Sequence, residues 1–183
     1  MLTILGIGDN PTNDLDLRRQ APTDAAYEPG IRAARVSQTP QAVSWLLDSD
    51  VLSQPAKKVG NARVISWLEK HQAQYYTSSI VIAQLAYWVR TRRGKQRIAL
   101  QKWLTDLIEA MHGRILGFNV STARVWAELQ HQFQAAGKPM PVEDSYIAAI
   151  ARRHNLTVAT GNVKNFQRPG VRVFDPFTEI DET

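Results

Sequence analysis

WLLDSDVLS, Trp45 to Ser53, is the stretch on which the fold turns. Three apolar residues run directly into two aspartates separated by one serine. A short, nearly continuous apolar run fits a strand covered on both faces. The acids at its end have two readings. They can form a strand-end turn or cap a short helix over VLSQPAKK. They can also be half of a site. Carboxylates brought together repel unless a cation or a proton offsets them, so Mg2+ or Mn2+ is the natural occupant of such a site.

Working outward, strands and helices alternate. NARVISWLEKH has helical periodicity with Asn61 as its N-cap. QYYTSS is a second strand, and Ser78 or Ser79 can cap the helix that follows to about Arg92, which is apolar nearly all round and is broken at Gly94. In KQRIALQKWLTDLIEAMHG, Leu100, Leu104, Leu107 and Met111 share one helix face and Gly113 ends it. RILGF is a third strand. Trp126, Leu129 and Phe133 line the next helix, which stops at Gly137. VEDSYIAAIARRH is a further helix, LTVAT a fourth strand and VRVF a fifth. This alternation predicts an α/β fold with a parallel sheet packed between helices.

Chemistry in such folds gathers at the carboxyl ends of the strands. Asp48 and Asp50 close the first strand, Thr160 to Asn162 close LTVAT, and Asp144 opens the helix leading into LTVAT. These residues are therefore expected to converge. Asp144 also has a bland reading as the N-cap of its helix. Glu143 has one as a first-turn charge facing the helix dipole, and it points about 100° away from Asp144, so the two are not expected to reach one ion.

The totals bound the function. The chain has 183 residues, enough for one domain, with 44% hydrophobic and 21% charged residues. It has no cysteine, which excludes a disulfide framework and thiolate zinc sites and fits a reducing compartment. The start, MLTILGIGDN, lacks the features of a signal peptide, and IVIAQLAYWV is too short to span a bilayer, so a cytoplasmic protein without membrane contact is expected. Residues 1–42 are rich in Pro, Asp, Asn and Thr and show no periodic apolar face. They are expected to be an irregular extension or an overrun of the start site, with residues 178–183 a tail. The extension carries five acids against four arginines, net −1, so of the formal charge of +5 the remainder holds +6. The sequence pI is about 9.7. A basic domain favours a polyanionic partner.

LLDSDVLS, GRILGFN, MPVEDSYIAAIARRHNLTVATGNVKNF and VRVFDPF occur in this order over Val43 to Phe177. Together they resemble a PIN-domain ribonuclease of the VapC/FitB-like toxin type, from type II toxin–antitoxin systems. The resemblance implies a PIN-like three-layer α/β/α sandwich with a central, mainly parallel sheet of four to five strands. It implies a Mg2+- or Mn2+-dependent endoribonuclease, usually a homodimer, silenced by a cognate antitoxin whose C-terminal segment wraps the toxin. Its first acid falls on Asp48, the acid opening the penultimate helix on Asp144, and the polar residue after the last core strand on Asn162, with Thr160 just before it. The implied roles are ion binding for Asp48 and Asp144, and orientation of water or phosphate for Asn162, Thr160 and Gln84.

Three positions depart from that pattern. Gln84 stands where the family has a glutamate, Asn165 where an acid is common, and Gly161 where Arg usually follows Thr. The cluster is less acidic than usual, which puts activity in question. If the strand persisted one step, Asp50 would lie beside Asp48 and restore the charge. Lys164 and Arg168, which follow the site, are the phosphate-contact candidates; Arg90, Arg92, Arg93, Lys95 and Arg97 are equally a solvated turn. Tyr87 and Trp88 belong either to a buried helix or to a dimer or antitoxin contact. Two other classes compete: a weakened nuclease that binds RNA or antitoxin without cleavage, and a haloacid-dehalogenase-like phosphatase using the D-x-D of Asp48 and Asp50. The latter lacks its downstream lysine and paired acids.

Overall fold

The computed structural model describes residues 43–178; the expectations for residues 1–42, and all but the first residue of the 178–183 tail, fall outside them. Five short strands form one parallel sheet: β1 (Trp45–Leu47), β2 (Tyr75–Ser78), β3 (Ile115–Leu116), β4 (Thr157–Ala159) and β5 (Val173–Phe174). Their order is β3-β2-β1-β4-β5. β1 is central, with Leu46 opposite Tyr76 on one side and Val158 on the other. Helices cover both faces, as the alternation of elements requires.

The chain builds outward from β1 to β2 and β3, then returns to lay β4 on β1's other side. The connection therefore reverses direction between β1 and β4. Such a switch point opens a crevice outside the carboxyl ends of the strands. Asp48 and Thr160 are the residues that follow those two strands.

The helices are α1 (Ser49–Leu52), α2 (Ala62–Lys70), α3 (Ser79–Arg90), α4 (Gly94–Ala110), α5 (Val120–Ala135), α6 (Val142–Arg153) and α7 (Val163–Phe166), with a 3-10 turn at Gln54–Ala56. Side-chain caps fix several starts: Asn61 Oδ1 accepts from Val64 N, Ser78 Oγ from Val81 N, and Asn119 Oδ1 from Thr122 N. Each is worth about 1 kcal/mol. Gly113 and Gly137 follow helix ends with φ of +75° and +62°, where a side chain would be strained.

Leu46, Leu47, Val64, Val81, Phe133, Ile147, Ile150 and Val158 are fully buried and knit the sheet to the helices. Each such side chain contributes roughly 1.5–3 kcal/mol of transfer free energy. The expected face of α4 is met by Leu100, Leu104 and the following Met111, with Leu107 partly buried. Two expectations change. Gly94 does not break α3, which ends at Arg90; it opens α4 instead, at φ +56°. Nor is α3 enclosed all round. Val81, Leu85 and Val89 face the core, whereas Tyr87 is exposed and Trp88 packs edge-on to Trp103 beneath Arg92.

Candidate active site

β1 stops at Leu47 because Asp48 turns the chain into α1. Asp48 Oδ1 accepts from Ser49 N at 2.6 Å, which caps the helix. The cap and the site readings of this residue thus coincide. Its other oxygen, Oδ2, accepts from Thr160 Oγ1 at 2.9 Å, and that hydroxyl accepts in turn from Asn162 N at 3.0 Å. Asp48 is only 5% exposed and Thr160 fully buried, so one chain of hydrogen bonds ties the ends of β1 and β4 across the switch point. Burial first, and then the charge on Asp50, push the Asp48 carboxyl up to about 6; Asp144 adds to the push, while the Ser49 amide and the Thr160 hydroxyl oppose it.

Asp50 does not continue a strand, so the alternation that would set it beside Asp48 is absent. It lies in the first turn of α1, where its Oδ2 accepts from Gly161 N at 2.9 Å. Its Oδ1 is buried and has no hydrogen-bond partner. Burial raises its pKa, against the pull of the Gly161 amide. The same contact explains Gly161. A Cβ there would come within 2.9 Å of the Phe177 ring and 3.1 Å of Asp50 Oδ2, so the arginine common in relatives has no room.

Asp144 sits in the first turn of α6 and is not its cap; Pro141 holds that position without a side-chain bond. Asp144 Oδ2 accepts from Asn165 Nδ2 at 2.8 Å, so α7 braces it. Its pKa is raised by burial first, with Glu143 adding and Asn165 opposing. The turn itself is held from below: Trp126 Nε1 donates to Ser145 Oγ at 2.8 Å, and Ser145 Oγ donates to Val142 O at 2.6 Å.

Gln84, on the outer half of α3, donates from Nε2 to Glu143 Oε2 at 3.0 Å. Its Oε1 is buried and without a partner. Glu143 is the residue that sequence reasoning missed. The 100° rule treats side chains as short radial vectors, but a glutamate at the second helical position can swing to a neighbouring helix, and α3 and α6 are in contact.

The outer residues separate into two groups. Asn162 and Lys164 are exposed beside the site on α7 and its approach. Arg168 instead commits its guanidinium to main-chain carbonyls of Lys138, Pro139, Lys164 and Gln167, at 2.8 to 3.3 Å. It clamps the loop before α6 to α7, which leaves little of it for a phosphate. At the α3–α4 turn, Arg90 donates to Ala86 O and Arg92 lies over Trp88, as a helix-end cluster does.

Among the described residues no three His, Cys, Asp or Glu side chains form a ready-made metal cage. The donor set nevertheless fits a small hard cation. Mg2+ takes one or two carboxylates and keeps several waters. Asp48 and Asp144 are close enough for each other's charge to matter, and buried oxygens of Asp50 and Gln84 lack partners.

Buried acids at the switch point of a parallel sheet define a class of α/β protein with a polar, cation-seeking crevice. The chain belongs to the PIN-domain family, whose model matches residues 45–171. Its relatives include toxin FitB of Neisseria gonorrhoeae, 35% identical over 72% of this chain and 97% of the relative. The VapC ribonuclease Y4jK of Sinorhizobium fredii is 30% identical, over 72% of this chain and 96% of its own. The solved structure of FitAcB from Neisseria gonorrhoeae superposes with a TM-score of 0.70 at 34% identity, covering 74% of this chain and 99% of that one. This family sets the dehalogenase-like alternative aside.

Proposed function

We propose that this chain is a Mg2+- or Mn2+-dependent endoribonuclease, the toxin of a VapBC-type toxin–antitoxin pair. Membership of the PIN family beside a FitB toxin and a VapC ribonuclease supports the class. One observation carries the chemistry: Asp48, buried at the switch point, is held near pKa 6 by burial and by Asp50 and Asp144. A site that strains a carboxylate in this way gains from a cation.

Asp48 and Asp144 would hold the ion, with Asp50 Oδ1 a further oxygen within the acidic crevice. When bound, the ion supplies charge neutralisation at the scissile phosphate and lowers the pKa of a water. The Thr160 hydroxyl fixes Asp48 Oδ2, so the carboxylate does not have to be ordered when a ligand arrives. Asn165 does the same for Asp144. Asn162 and Lys164, exposed at the rim, are suited to orient the RNA backbone. No histidine enters this scheme.

A cognate antitoxin and a second copy of the chain are the proposed protein partners, in the cytoplasm. Tyr87 and Ile98, 72% and 73% exposed on α3 and α4, give the helical arm an apolar surface for such contacts. No helix among the described residues is long and apolar enough to cross a membrane.

The test compares RNA cleavage by wild type and Asp144→Asn, with Mn2+ and with a chelator. Cleavage by wild type in Mn2+ alone, lost in the variant, is the expected result. RNA binding without cleavage in Mn2+ would instead mark a protein that has lost catalysis, and cleavage surviving the chelator would overturn the metal dependence.

A further inference from the structure

We infer that Glu143, held by the Gln84 amide, supplies the negative charge that α3 itself does not bring to the site. This rests on the metal-dependent reading above and names a positioning residue for it.

Three observations support the inference. Gln84 Nε2 donates to Glu143 Oε2 at 3.0 Å, so the acid from α6 and the amide from α3 act as one unit. Gln84 Oε1, the other end of that amide, is buried with no partner. The charge on Glu143 is felt at Asp144, whose carboxyl it pushes up. An amide with its N–H groups on a carboxylate and its oxygen unpartnered is polarised toward whatever accepts that oxygen, and a hard cation or its water is the fitting acceptor.

The arrangement has a parallel. Asn165, also an amide, donates to Asp144 Oδ2 at 2.8 Å. Each of the two adjacent acids of α6 is thus held by an amide from a neighbouring helix. With acids at 84 and 165, four carboxylates would crowd one crevice and repel until a cation or proton arrived. With amides there, the two α6 acids are positioned beforehand. The sequence therefore moves the third charge from α3 to the first turn of α6, where the helix N-terminus also favours it.

The experiment is a Mn2+ titration of the full chain, read by calorimetry or by the loss of the free-ion electron paramagnetic resonance signal. Glu143→Gln should weaken Mn2+ binding by roughly tenfold, the cost of removing an outer partner of a metal site. Glu143→Asp keeps the charge on the helix but shortens the reach to Gln84, and should be weakened similarly. The double variant Gln84→Glu with Glu143→Gln moves the acid back to α3 and should recover most of the wild-type affinity. Melting in chelator confirms that each variant is folded; Glu143 is exposed, so its loss should be tolerated. Wild-type affinity in Glu143→Gln, or no recovery in the double variant, overturns the inference alone. A wild type that binds no Mn2+ overturns the nuclease reading and this inference with it.

Discussion

The two halves of the crevice are built differently. At β1 and β4, Asp48 is buried and both its oxygens are fixed by groups within the sheet edge: the Ser49 amide and the Thr160 hydroxyl. At the start of α6, Asp144 and Glu143 are more open and are held by side-chain amides from α7 and α3. The first half is rigid before any ligand comes. The second is adjustable, because each acid needs only one long side chain to move. A rigid buried carboxylate is costly to ionise, and a nearby adjustable one lets a cation be gripped once it arrives.

Removing either half should break the function most severely. Asp48→Asn or Asp144→Asn should lower RNA cleavage in Mn2+ by at least about a hundredfold, since even outer-sphere partners of metal ligands are worth 10- to 100-fold. Single-turnover cleavage of a labelled RNA would measure this.

The halves should differ in stability. The Asp48 carboxyl titrates near 6 in the folded chain against an ordinary value of 3.8. The folded state thus holds its proton longer than the unfolded one. Stability from this group is full below about pH 4 and declines as pH rises to about 6, by up to about 3 kcal/mol. Melting in chelator should therefore show a falling Tm contribution over that window, and Mn2+ should offset it, more at pH 7 than at pH 5. Asp48→Asn keeps an oxygen for the cap and removes the buried charge. It should melt higher than wild type at pH 7 in chelator, gaining roughly 1–3 kcal/mol, while losing the Mn2+ response. Asp144→Asn, at the more open half, should gain less.

Smaller effects sharpen the contrast. Thr160→Val preserves shape but leaves Asp48 Oδ2 without its donor, costing about 1–3 kcal/mol in denaturant titration and weakening Mn2+ binding. Ser145→Ala removes the link between Trp126 and the first turn of α6, and should cost about 1 kcal/mol with a smaller effect on Mn2+ affinity.

Much of the frame was legible in the sequence, for local reasons. Asn61 and Ser78 precede their helices with the side chains that bond the free N–H groups. Gly113 and Gly137 follow helix ends that require positive φ. The apolar runs ending in Asp48 and Thr160 marked the strands that meet at the switch point. What escaped depends on reach across the fold. Asp50 was assigned by strand alternation, but Asp48 caps a helix and breaks that period after three strand residues. Glu143 was set aside on helical angle, yet its long side chain crosses to Gln84. Arg168 looked free because its four carbonyl partners lie on two separated segments, before α6 and around α7. Gly161 departs from the family pattern because Phe177 and Asp50 close around it, which only the folded chain reveals.

The central claim is that Asp48 and Asp144 serve one cation between them. Mn2+ titration of wild type, Asp48→Asn and Asp144→Asn, followed by electron paramagnetic resonance, measures it directly. The account predicts a site in wild type that either substitution weakens by at least about tenfold, with the double variant little worse than the single ones, as coupled ligands behave. Wild-type affinity retained in either single variant would contradict it.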